Sequence, residues 1–163
     1  IDRLLSVIPK FTKSFKGLSL CFVDPYNKGE LCFDTLRTIS ENLYIDFLVL
    51  IPSYMDIHRN EQIYTRENDT SLDKYLGTTT WRVQWANRNS QQVDFGLFIA
   101  NEFCKKMQGI GYIYEGFNDM ELIRKGHGNN PPLYHLAFFS KSKIGLQFWR
   151  ETKEKTKRQL TLW

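Results

Sequence analysis

Residues 18–33 read LSLCFVDPYNKGELCF. An apolar run from Leu18 to Val23, broken only by Ser19, stops at Asp24, Pro25, Tyr26 and Asn27. A run of that kind predicts a strand covered on both faces, and the proline ends it by removing a ladder donor. Beyond the corner, Phe33, Leu36, Ile39 and Leu43 recur at near-helical spacing, which predicts a helix from about Glu30 to Asn42. The next apolar run, IDFLVLI at residues 45–51, predicts a second buried strand, ended by Pro52. Strand, crossover helix and strand in so short a span make a βαβ unit, so the two strands should be parallel neighbours.

Working outward, residues 53–92 are polar and irregular and contain two helix-compatible stretches, MDIHRNEQIY and SLDKYLGTTTWRVQWANR. Ser71 is placed to cap the second, and Trp81 and Trp85 lie one turn apart. A longer helix follows at about 93–108, with Phe95, Phe98, Ile99, Phe103 and Met107 on one face and Gly109 as its stop signal. The last third alternates in GIGYIYEGF and LYHLAFFS, joined through the turn chemistry of KGHGNNPP. This predicts an antiparallel hairpin of residues 110–117 with 133–140. A closing helix from about Ile144 should carry Ile144, Phe148 and Trp149 inward. The expected fold is α/β, parallel strands followed by a C-terminal antiparallel hairpin, in one domain over 1–163 with a helical insertion at about 53–92. In open sheets of this class ligands bind beyond the carboxyl ends of the parallel strands, and the Asp-Pro-Tyr-Asn corner stands at one of them.

Composition excludes several classes. A chain of 163 residues is enough for one core, and 42% hydrophobic with 25% charged residues is globular material. No apolar window approaches a membrane span, and no signal peptide opens the chain. Three widely spaced cysteines, Cys21, Cys32 and Cys104, predict reduced thiols and a cytoplasmic protein. His58, His127 and His135 have no metal-ligand spacing, and no Ser or Cys stands in a nucleophile elbow. The chain starts at Ile1 within an amphipathic pattern (Ile1, Leu4, Leu5, Ile8, Phe11, Phe15) divided by Pro9, which is the expectation for a piece of a longer protein. The net charge of +4 owes much to KEKTKR at 153–158, readable as a solvated helix face or as a phosphate-contacting tail.

The succession FVDPYN, DFLVLIPSYMDIHRN, LGTTTWR and NNPPLYHLAFFSKSKIGLQFW resembles the three-Cys-motif partner proteins over about residues 18–149. Those are bacterial, methyltransferase-like proteins encoded beside a protein that carries the cysteine motif. The resemblance implies a class I methyltransferase-like (Rossmann-like) sheet, of which this chain is the C-terminal half. It also implies S-adenosylmethionine as cofactor, and nucleic acid or the genomic-neighbour protein as partner. Residues 18–23 and 45–51 would be the fold's fourth and fifth strands. In that fold a D/N-P-P-Y/F tetrad after the fourth strand orients a target amino group for attack on the methyl donor. Carried over, Asp24 accepts from the amino group, Pro25 fixes the corner and offers its carbonyl, and Tyr26 stacks on the substrate, with Asn27 beside it. The corner here is D-P-Y-N, with one proline where the tetrad has two.

The local alternative is an Asp that caps the next segment beside a turn-forming proline. His58, Arg59 and Asn60 are substrate-contact candidates on the same rim, against the alternative of an exposed helix start and loop anchors. His135 reads as a satisfied core histidine and His127 as an exposed turn residue. Tyr75, Trp81, Arg82 and Trp85 form either a stacking platform for nucleic acid or the core of the helical insertion. The methyl donor needs a glycine-rich corner opening a helix and a downstream acid. The one glycine cluster here precedes a strand, so this chain alone is not expected to bind the donor. The rival to an enzyme is a non-catalytic partner that retains the fold.

Overall fold

The computed structural model describes residues 19–25, 28–88, 93–116, 119–126 and 130–160. Its four strands, β1 (Leu20–Val23), β2 (Asp46–Ile51), β3 (Met120–Arg124) and β4 (Pro132–Phe139), form one sheet in the order β1-β2-β4-β3. β1 and β2 are parallel, with Leu20 opposite Asp46 and Val23 opposite Val49. β4 lies antiparallel to β2, with Ile51 opposite His135, and β3 lies antiparallel to β4. β3 therefore runs with β1 and β2. The carboxyl ends of three strands and the start of β4 meet on one rim.

The crossover from β1 to β2 is α1 (Phe33–Asn42), preceded by a 3-10 turn at Lys28–Glu30. After β2 the chain enters a π-helix, Ser53–His58, and then three short helices, α2 (Glu61–Tyr64), α3 (Ser71–Leu76) and α4 (Thr80–Ala86). The long α5 (Phe95–Gly109) leads back to the sheet, and α6 (Lys143–Leu160) closes the chain.

Alternation along β2 sorts the two faces. Phe47, Val49 and Ile51 are fully buried, and Leu48 and Leu50 only half so. On the buried face α5 presents Phe95, Ile99, Phe103 and Met107, spaced for one side of a helix. Phe103 is the hinge of that packing: it meets Phe33 of α1 edge-on at 6.0 Å, stacks on Tyr75 of α3 at 5.1 Å, and touches Phe139 of β4 at 6.0 Å. On the opposite face α6 packs Trp149 over Phe138 at 5.6 Å and buries Leu146.

The parallel pair and its crossover helix stand where the apolar pattern puts them. Four expectations are corrected. β4 pairs with Met120–Arg124 rather than with residues 110–117, which contribute a single bridge from Ile113 to Ser140. The alternation in GIGYIYEGF instead buries Tyr112, whose hydroxyl donates to the Ile45 carbonyl at 3.0 Å. β1 is not covered on both faces among the described residues, since Leu20 and Phe22 are 60% and 58% exposed. On α6, Ile144 and Phe148 point outward at 80% and 70% exposure, because Leu146 and Trp149 occupy the inward stripe. The N-cap position of α3 is Thr70, and Ser71 is its first helical residue, its N–H held by Asp69 Oδ1 at 2.9 Å.

Truncating Phe103 to Ala empties the meeting point of α1, α3 and β4. The expected cost is about 3–5 kcal/mol, read as a lower urea midpoint with an unchanged slope.

Candidate functional site

The rim is built at the end of β2. Ile51 and Pro52 are buried, and the chain then winds into the π-helix instead of continuing the ladder. This wide turn holds the Ser53 carbonyl against the backbone of Gly96 in the first turn of α5, where any Cβ would overlap the carbonyl oxygen. Only glycine fits there. The contact brings the N-terminus of α5 onto the rim.

Asp94 caps that helix, its Oδ1 accepting from the Leu97 N–H at 2.8 Å. Its Oδ2 lies 3.0 Å from Nδ1 of His58, the last residue of the π-helix. One carboxylate thus fixes both a helix end and an imidazole. Asp94 is about one quarter exposed and His58 about one half, at 27% and 49%, so the pair faces solvent. Beneath it Ser53 Oγ and His135 Nδ1 are hydrogen-bonded at 2.8 Å, with both residues buried. The Tyr54 ring stands between the two histidines, 5.7 Å from His58 and 5.8 Å from His135. Burial raises the Tyr54 phenol, the Asp94 charge adds to this, and Arg124 at the end of β3 works against it. Burial lowers the His135 pKa and the Asp94 charge partly offsets the fall.

Asp24 and Pro25 follow β1 directly and reach the same rim from the neighbouring parallel strand. Asp24 is exposed and Pro25 buried. Asp24 does not cap α1, whose N-cap position is Cys32. Tyr26 and Asn27 lie outside the described residues, as does His127. Arg59 is exposed, whereas Asn60 is committed inward, its Nδ2 donating to the carbonyl oxygen and Oδ1 of Asp56, each at 2.9 Å. Tyr64 donates to the same carboxylate. Asp24 and Pro25 thus follow the end of β1, His58 and Arg59 follow the turn after β2, and Asn60 is turned into a support.

The stacking platform gives way to packing. Trp81 and Trp85 are buried on Phe95, with Trp85 also 5.1 Å from Phe98, and Tyr75 is buried entirely. Arg82 is held by both oxygens of Asp73 at 3.1 Å and lies over Trp81. His135 is the buried, partnered histidine that its alternation indicated. Ser53, Tyr54 and Asp94 escaped the sequence reading. For Asp94 the signal was there, an acid immediately before the apolar run FGLF, which is an N-cap position. Pairing of that acid with His58 is a tertiary event and leaves no local mark.

Among the described residues no group of three or more His, Cys, Asp or Glu is arranged to hold a metal ion, and no helix is long and apolar enough to cross a membrane. Cys104 is buried, and burial pushes its thiol well above the usual range, while Cys21 and Cys32 are half-buried and free. No family model matches the chain, and comparison with characterised proteins and with solved structures finds no significant match.

His135 binds a proton less readily folded than unfolded. Its contribution to stability is complete above the ordinary imidazole pKa of about 6.5 and is lost as pH falls below it. Urea unfolding from pH 7 to 5 should therefore show a stability slope that His135→Gln, which keeps a polar partner for Ser53, reduces.

Proposed function

We propose that the chain is the acceptor-binding half of an S-adenosylmethionine-dependent methyltransferase-like protein, which transfers a methyl group to an amino group on nucleic acid or on a small amine. The observation that carries this reading is the exposed Asp24 beside buried Pro25 at the carboxyl end of β1, next to a parallel β2 and a closing antiparallel pair. Parallel strands followed by an antiparallel hairpin is the arrangement that the family resemblance implies for the C-terminal half of the fold. An exposed carboxylate on a rigid strand end can accept from an amino group and fix the direction of its lone pair. Such orientation supplies much of the rate in a group transfer.

The described residues do not fit the methyl donor. β1 leads through Pro25 toward a 3-10 turn, and β2 through Pro52 into a π-helix. Neither is a glycine-rich corner opening a helix. Gly109 ends α5, and Gly111 and Gly116 stand in the turns after it on either side of Tyr112, at φ +95° and +109°. On this reading the donor site belongs to other residues of the full-length protein, and the present ones serve the acceptor.

One observation favours a second reading, a non-catalytic partner that keeps the fold. Leu20, Phe22, Ile144 and Phe148 leave large apolar side chains exposed on β1 and α6, and apolar side chains that form one patch mark a surface made for contact.

Calorimetry of the full-length protein with S-adenosylmethionine separates the two. Saturable binding is expected for the enzyme, and no heat at millimolar donor would leave the partner. In an active protein Asp24→Ala should abolish methyl transfer, with a stability change within about 0.5 kcal/mol, as for an exposed side chain.

A further inference from the structure

The sheet face opposite α5 is covered over one side only. Ladder register decides which side chains share that face. Leu20 and Phe22 of β1 stand opposite Asp46 and Leu48 of β2, and Leu48 and Leu50 stand opposite Phe138 and Leu136 of β4. α6 begins against the amino end of β2, where a Cβ on Gly145 would come within 3.2 Å of the Asp46 carboxylate. It then crosses β4, laying Trp149 on Phe138, and reaches β3, where Lys153 stands 3.9 Å from Glu121. The helix therefore moves away from β1 as it proceeds. Phe138 is buried beneath it, Leu48 and Leu50 are half-buried, and Leu20 and Phe22 are exposed. These four leucine and phenylalanine side chains of β1 and β2 form one apolar strip, open on the β1 side among the described residues.

We propose that residues 1–17 fold back over this strip and cover it, with Phe11 and Phe15 on Phe22 and Leu20. The segment has the composition for it. At helical spacing Ile1, Leu4, Leu5, Ile8, Phe11 and Phe15 fall on one face, and Arg3, Ser6, Lys10 and Lys13 on the other. It also has the length. Pro9 divides it, and residues 10–17 span about 12 Å as a helix, against about 13 Å for the four residues of β1. Its end is in the right place, because it feeds β1 directly. Residues 17–19 reach about 10 Å when extended, enough to reverse the chain over the strand that follows. Reversed in this way the segment runs antiparallel to β1, which sets Phe15 near Leu20 and Phe11 near Phe22. So short a tether presents it to the strip at an effective concentration of the order of mM, ahead of a second copy or a free partner. The inference is independent of the methyl-transfer reading. It bears on the partner reading, since a strip covered by its own chain is not offered to a neighbour.

The test uses the full-length protein with p-benzoylphenylalanine in place of Phe22, one exposed ring exchanged for a photoreactive one. Irradiation and peptide mapping should give cross-links to residues 8–15. The same probe in place of Val83, exposed on α4, should give none there. Replacing Phe11 and Phe15 together by Ser should lower the yield from position 22, an effect that a segment held near by its tether alone would not show. In the unsubstituted protein, nuclear Overhauser contacts should join the Phe11 and Phe15 rings to the Phe22 ring and the Leu20 methyl groups, a readout that needs no variant to fold. Cross-links to a second copy or elsewhere in the protein, without any to residues 8–15, would overturn the inference. So would a yield that the Ser pair leaves unchanged, or the absence of those ring contacts.

Discussion

The rim depends on one close approach, the Ser53 carbonyl against the backbone of Gly96. β2 must leave the sheet at Pro52, and the π-helix that follows is wide enough to carry Ser53, Tyr54 and His58 around the strand end. A helix start can meet that turn only where the contacting residue lacks a side chain. Gly96 meets the condition, and Asp94, two residues earlier, is thereby delivered to His58. The same turn aims the Ser53 hydroxyl at His135, which β4 supplies through its register opposite Ile51. Three elements remote in sequence are locked by a contact that involves no side chain of the α5 partner.

Burial and polarity are divided sensibly around this lock. His135 is inside, its pKa lowered by burial, and its Nδ1 hydrogen bond goes to a buried hydroxyl. His58 is outside, half-exposed against Asp94. Tyr54 separates them while touching both. Asp24 reaches the rim from β1 and, with Cys32 at the N-cap of α1, is not spent on that helix. The helical stretch between β2 and α5 is a support: Trp81, Trp85 and Tyr75 fill the space beneath α5, and Arg82 and Asp73 tie α3 to α4. The exposed apolar residues of β1 and α6 belong to a different surface, on the sheet face opposite α5.

Much of the sheet was legible because a central strand writes a continuous apolar run, as β2 does in FLVLI, with one face fully buried and the other half-buried. The α5 stripe was legible for the same reason, as four buried residues at helical spacing. The partner of β4 was not, because GIGYIYEGF alternates as well as MELIR does. Local pattern cannot say which of two alternating runs wins a neighbour, and here burial of Tyr112 withdrew the first. The inward face of α6 was misread because Ile144 and Phe148 are as apolar as Leu146 and Trp149, and only the docking angle chooses between them. The places of Asp24, Pro25 and His58 after strand ends could be read from the sequence. Asp94 and Ser53 could not be tied to them, since their roles exist only once the Ser53–Gly96 contact has formed.

That contact is tested most directly by Gly96→Ala, a change that adds one methyl group and no charge. Ring signals of both rim histidines should be followed in the NMR spectrum alongside urea unfolding. The account predicts that the added carbon forces α5 off the π-helix, displacing the signals of His58 and His135 together and lowering stability by about 1–3 kcal/mol or more through overpacking. A Gly96→Ala protein with unaltered stability and both histidine signals in place would contradict it.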